Sequence, residues 1–154
     1  MLSNEEISEI NTELAHAATK ASASVDALNI IQRRRGWVSD EAVKDVAALL
    51  EMTADEVDAV ATFYSFIFRK PVGKHVILIC DSISCWVMGY NPLLDLVKEK
   101  LGIGFGDTTT DKRFTLLPIS CLGACDRAPA MMVDDDLYGP VTPEMMEGIL
   151  GKYT

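Results

Sequence analysis

The sequence has 154 residues, 49% of them hydrophobic and 24% charged, with a formal net charge of −9. A chain of this length can bury a substantial core, and its longest apolar run falls well short of the ~18–20 residues a membrane-spanning helix needs. Acidic residues outnumber basic ones twelve to seven in 1–70 and eleven to seven in 71–154, so there is no basic stripe for nucleic acid and no direct membrane insertion is expected.

The N-terminus, MLSNEEISEI, has neither the basic start and apolar stretch of a secretory signal nor an Arg-rich presequence. The expectation is a bacterial cytoplasmic protein. In a reducing compartment cysteines serve as ligands or redox thiols more often than as disulfides.

Residues 1–70 read as helices. Ser3-x-x-Glu6 fits a capping box, in which each side chain satisfies an orphan backbone N–H of the first turn. Ile7, Ile10, Leu14 and Ala17 then mark one helical face. Val25, Leu28 and Ile31 give a second helix that ends near Gly36. A third starts after Ser39, with Asp40 and Glu41 in its first turn and Val43, Val46, Ala47 and Leu50 as its stripe. Thr53-x-x-Glu56 opens a fourth, carrying Val57, Val60, Ala61 and Tyr64. Short loops between four such helices predict a small bundle.

Pro71 and Gly73 punctuate the chain and mark a boundary between a helical domain, 1–70, and a second domain, 71–154. HVILIC (75–80) has a buried-strand pattern. Residues 85–101 read as one helix, with Leu93, Leu94, Val97 and Leu101 on a single face. Strands follow at 113–120 and 130–135, the latter pairing with 137–141 as a hairpin. Thr142 and Pro143 suit the N-cap and first position of a last helix. The order, close to β-α-β-β-β-α, describes an α/β layer after a helical bundle, a mixed α+β chain.

The four cysteines form two pairs, Cys80 and Cys85 as C-x4-C and Cys121 and Cys125 as C-x3-C, each following a strand pattern. Four thiolates suit Zn(Cys)4, a [2Fe–2S] cluster or a [4Fe–4S] cluster. Structural zinc and [4Fe–4S] runs favour C-x2-C spacing, absent here. Two pairs on separate loops suit a rhombic [2Fe–2S] core, each pair gripping one iron. On spacing alone the cluster, a structural zinc and a thiol redox role all stay open. Gly123, inside the second loop, is expected where a Cβ would limit close backbone approach. Asp81 and Asp126 directly follow cysteines, and their charge near a cluster would disfavour adding an electron; as loop caps they would do nothing of the kind.

At VATFYSFI, HVILICDSISCW, RFTLLPISCLGACDRAPAMMVDDDLYG and the closing VTPE, the chain resembles the E-subunit family of NADH-quinone oxidoreductase, the 24 kDa subunit of respiratory complex I. The resemblance runs from about residue 20 to the C-terminus. It implies a helical bundle followed by a thioredoxin-like [2Fe–2S] ferredoxin domain, with Cys80, Cys85, Cys121 and Cys125 as the cluster ligands. It further implies an electron-transfer subunit that exchanges an electron with the FMN of a partner flavoprotein, the F-subunit of the same complex, where NADH also binds. No NADH oxidation is then expected from this chain alone. The implied location is peripheral, on the cytoplasmic side of the inner membrane. The same module in an NAD-linked formate dehydrogenase or NAD-reducing hydrogenase is the alternative host, and a structural zinc module the alternative of another class.

Other features have local readings. GIGFG (102–106) follows a helix rather than a strand, so it reads as a loop and not a dinucleotide site. Arg33, Arg34 and Arg35 suit a helix C-terminus. Asp134, Asp135 and Asp136 mark a hairpin turn. Trp37 and Trp86 are expected to pack, Trp86 also being placed to shield a cluster. Met131 and Met132 fill a core, and the aromatic run Phe63–Phe68 suits a seam or partner contact.

Overall fold

Local capping chemistry sets the starts of three of the four N-terminal helices. In α1 (Asn4–Leu14) the Ser3 box is complete: Glu6 N–H donates to Ser3 Oγ at 3.2 Å and Ser3 N–H to Glu6 Oε2 at 2.7 Å. Ser39 caps α3 (Asp40–Leu50) through Ala42 N–H, and Thr53 with Glu56 forms the box of α4 (Ala54–Phe63). Helix α2 (Ser24–Arg35) grows from a 3-10 turn at Ala21–Ala23 and stops at Gly36, whose φ of 81° lets the chain leave in the left-handed conformation. These helices close over Ile10, Leu28, Ile31, Val46, Leu50 and Val57, all buried. The computed structural model describes all 154 residues, and the chain divides into two units, Met1–Pro71 and Val72–Thr154.

Two expectations for this unit shift. Helix α1 ends at Leu14, and Ala17 lies beyond it, outside any helix. Helix α4 ends at Phe63, so Tyr64 is an extended C-cap and half-exposed rather than on a buried face.

The second unit is built on a four-stranded sheet in the order β2-β1-β3-β4: β1 is His75–Cys80, β2 Phe114–Ile119, β3 Met131–Val133 and β4 Asp136–Tyr138. β1 runs parallel to β2 and antiparallel to β3, which pairs antiparallel with β4. The burial of every β1 residue after His75 fits its central place. Pro118, which cannot donate to a ladder, lies in the edge strand β2. Asp134, at φ 51°, turns the β3–β4 hairpin and accepts from Val76 N–H at 2.9 Å. The core of this unit holds Ile77, Ile79, Val97, Phe114, Leu116, Met131 and Met146.

The segment predicted as one helix over 85–101 is two: α5 (Ile83–Met88) and α6 (Tyr90–Leu101). Gly89 separates them at φ 123°, a conformation a helix cannot contain. The C-terminal helix also begins later than its sequence suggests. Pro143–Met145 is a 3-10 turn without a Thr142 cap bond, and α7 is Met146–Leu150. Ala128–Pro129 and Gly139–Pro140 are cis peptides.

Candidate metal centre

Sheet order brings the two cysteine pairs together. Cys80 is the last residue of β1 and its N–H donates to Ala130 O at 3.2 Å, on the β3 side. Asp81 N–H donates to Ile119 O at 3.0 Å, on the β2 side. Ile119 lies two residues before Cys121, and Ala130 five after Cys125. The loop bearing the second pair therefore leaves and re-enters the sheet on opposite sides of Cys80. Cys85 lies within α5, directly after β1. Cys125 opens a 3-10 turn, Cys125–Arg127, and shares a hollow with Ile83, Ser84, Val87 and Met88 of α5, the helix that carries Cys85.

The four thiols are free, Cys80 and Cys85 buried, Cys121 and Cys125 exposed. Backbone N–H groups point at several sulfurs. Gly123 N–H donates to Cys121 Sγ at 3.3 Å. Burial pushes the Cys80 thiol up, but hydrogen bonds from the Ser82 hydroxyl, the Ser82 and Leu122 N–H groups and Cys85 outweigh it and hold Cys80 below its ordinary value. At Cys85 burial wins, opposed by the Ala130 N–H and reinforced by Cys80, and its thiol is raised. The Leu122 and Ala130 contacts also show the second loop and the entry to β3 reaching the first pair.

An all-thiol donor set in two pairs, with N–H donors already directed at sulfur, fits a [2Fe–2S] core. Such a core asks only two thiolates of each iron, and hydrogen bonds of this kind tune it. No three His, Cys, Asp or Glu side chains lie close enough to ligate a single ion.

Some expectations about neighbouring residues are revised. A Cβ at Gly123 would meet nothing within 4 Å; the glycine is there because φ is 72°. Trp86 is 57% exposed on α5 and belongs to neither hydrophobic core. Met131 is fully buried as core filler. Arg34 and Arg35 at the end of α2 pair with Glu9 and Glu6. Asp81 and Asp126 are both exposed beside the site. Sequence reasoning missed Ser82, whose position two residues after Cys80 was the available signal. It also missed the Leu122 and Ala130 N–H groups, which no side-chain pattern announces.

The family model for thioredoxin-like [2Fe–2S] ferredoxins matches residues 10–154. The E-subunit of NADH-quinone oxidoreductase from Pseudomonas aeruginosa is 47% identical over 153 residues, covering 99% of this chain and 92% of that protein. The Escherichia coli (strain K12) counterpart is 47% identical over 152 residues, with the same coverage of 99% and 92%. Among solved structures, an NAD+-reducing [NiFe]-hydrogenase chain superposes with a TM-score of 0.69 at 21% identity. That match covers 82% of this chain and only 22% of the hydrogenase chain, and it establishes a shared fold. The chain belongs to the thioredoxin-like [2Fe–2S] ferredoxin family, as a member of its NADH-quinone oxidoreductase E-subunit group, with one [2Fe–2S] cluster as its cofactor.

Proposed function

We propose that Cys80 and Cys85 ligate one iron of the cluster and Cys121 and Cys125 the other. The chain is then the electron-transfer subunit of the NADH dehydrogenase module of a bacterial NADH-quinone oxidoreductase. When bound, the cluster supplies a one-electron site. The observation that carries this reading is the convergence of both cysteine pairs around the end of β1, between Ile119 and Ala130. Buried Cys80 and Cys85 hold their side in a dry, rigid setting, while exposed Cys121 and Cys125 form the outer side.

The partner is the FMN- and NADH-binding flavoprotein of the same complex, with which this chain exchanges an electron. Ile83, Val87 and Met88, exposed on α5 beside Cys85, offer an apolar surface of the kind a partner protein covers. No helix is long and apolar enough to cross a membrane, which suits a peripheral place on the cytoplasmic side of the inner membrane, held there by the complex. Residues 1–70 and 71–154 act as two domains, the second carrying the cluster. Near-full-length identity to named NADH-quinone oxidoreductase subunits favours this host over a formate dehydrogenase or hydrogenase.

The test is anaerobic purification of the full chain, with iron and sulfide analysis and paramagnetic resonance after dithionite. Two irons, two sulfides and a single-spin signal are expected, together with loss of that signal in Cys80→Ser and Cys121→Ser. A colourless chain holding one zinc would reject the proposal. Affinity capture from the native host should recover an FMN-containing protein, and cell fractionation should place both with the inner membrane.

A further inference from the structure

We propose that Gly139 is a positioning residue for the Cys125 side of the metal centre. The inference rests on the reading of Cys125 as a ligand. Gly139 follows β4 directly, far in sequence from the cysteine loop, yet its Cα lies against the Arg127 backbone. A Cβ built there would overlap the Arg127 carbonyl oxygen, and would lie 3.1 Å from Arg127 Cβ and 3.3 Å from its carbonyl carbon. Backbone atoms cannot swing aside as a side-chain end can. The φ of Gly139 lies outside the left-handed region, so an L residue could adopt its conformation. Space alone excludes a side chain.

That space matters because of what Arg127 is attached to. Arg127 closes the 3-10 turn that Cys125 opens, with its N–H donating to Ala124 O at 2.9 Å. A three-residue turn has little slack, so a push on Arg127 moves Cys125. Two residues further along, Val141 N–H donates to Pro129 O at 2.9 Å and clamps the same two segments together. The segment after β4 therefore acts as a back-stop for the exposed pair, just as β1 and α5 hold the buried pair. Gly123 stands in contrast: it serves the same loop through its positive φ and has open space around it.

The experiment uses the full chain with its cluster, prepared without oxygen, as wild type, Gly139→Ala, Gly148→Ala and Cys125→Ser. Gly148 is the control, because a Cβ there meets nothing within 4 Å. An iron chelator is added and the bleaching of the cluster absorbance is timed; g-values are recorded after dithionite reduction. Gly139→Ala should lose its cluster about tenfold faster, the lower end of the range for residues that orient metal ligands, and its g-values should shift. Its cluster-free form should keep the wild-type far-ultraviolet dichroism and melt within a few degrees of wild type. Gly148→Ala should match wild type in bleaching rate and g-values. Wild-type bleaching and g-values in Gly139→Ala would overturn the inference while leaving the ligand assignment standing. A cluster-free Gly139→Ala that does not fold would overturn it too, by making Gly139 a folding residue. An unchanged spectrum in Cys125→Ser would instead reject the ligand assignment itself.

Discussion

Glu6 shows how one side chain can carry two structural duties. Its carboxylate completes the capping box of α1 and takes two bonds from Arg35, at 2.7 Å from Nε and 2.6 Å from Nη2. The Arg35 bonds, helped by the Ser3 N–H and opposed by burial, lower its pKa from 4.5 to about 2. Because the folded value lies below the unfolded one, the stabilisation is complete above about pH 4.5 and is lost as pH falls towards 2. Its size is at most about 3 kcal/mol. Glu6→Gln should therefore unfold at lower urea near pH 7, by about 2–3 kcal/mol, and approach the wild type near pH 2. Equal destabilisation at both pH values would show that charge is not the cause. Near the metal centre the same logic of charge applies to Asp81 and Asp126, both exposed. Neutralising either to Asn should raise the midpoint potential, since a nearby negative charge opposes the incoming electron. An unchanged potential in both variants would leave them as simple loop residues.

The break between α5 and α6 decides where the first cysteine pair can sit. Leu93, Leu94 and Val97 are buried on one face of α6, and that stripe would extend a single helix back to Cys85 if periodicity alone ruled. Gly89 at φ 123° ends it and lets α5 form a separate short helix with Cys85 inside. A Cβ at Gly89 would be 3.9 Å from Pro129 Cγ, an ordinary contact, so the cost of a side chain there is conformational. Gly89→Ala should lower the stability of the second unit by about 1–3 kcal/mol, read from denaturant melts of the cluster-loaded chain. A neutral effect would mean that α5 and α6 can join without loss. The strands follow a clearer rule. β1, buried almost throughout, reads correctly from its unbroken apolar run, and the edge place of β2 accords with Pro118.

The whole chain contains two hydrophobic cores, one in Met1–Pro71 and one in Val72–Thr154. A cluster that binds only the folded second unit stabilises that unit by linkage. Thermal unfolding should then show two transitions, and removing the cluster should lower only one of them. A single transition that shifts as a whole would show the two units to be one cooperative body. Much of this organisation was legible in the residues. Helix starts at Ser3, Ser39 and Thr53 are local chemistry, formed within three residues, and they appear where the pattern puts them. The identity of the four thiols and their grouping in pairs were equally plain, as was the family they imply. Helix ends at Leu14 and Phe63 were not, because no Gly or Pro marks them and the apolar spacing runs on. Nor was the difference between a buried and an exposed cysteine pair, which depends on what packs above each loop. Spacing along the chain thus specifies donors, caps and strands, because those arise from neighbours in sequence. The meeting of the two pairs at Cys80, the N–H groups of Leu122 and Ala130 aimed at sulfur, and the press of Gly139 on Arg127 all follow from the strand order β2-β1-β3-β4. Those contacts join residues distant in sequence, and folding alone makes them neighbours.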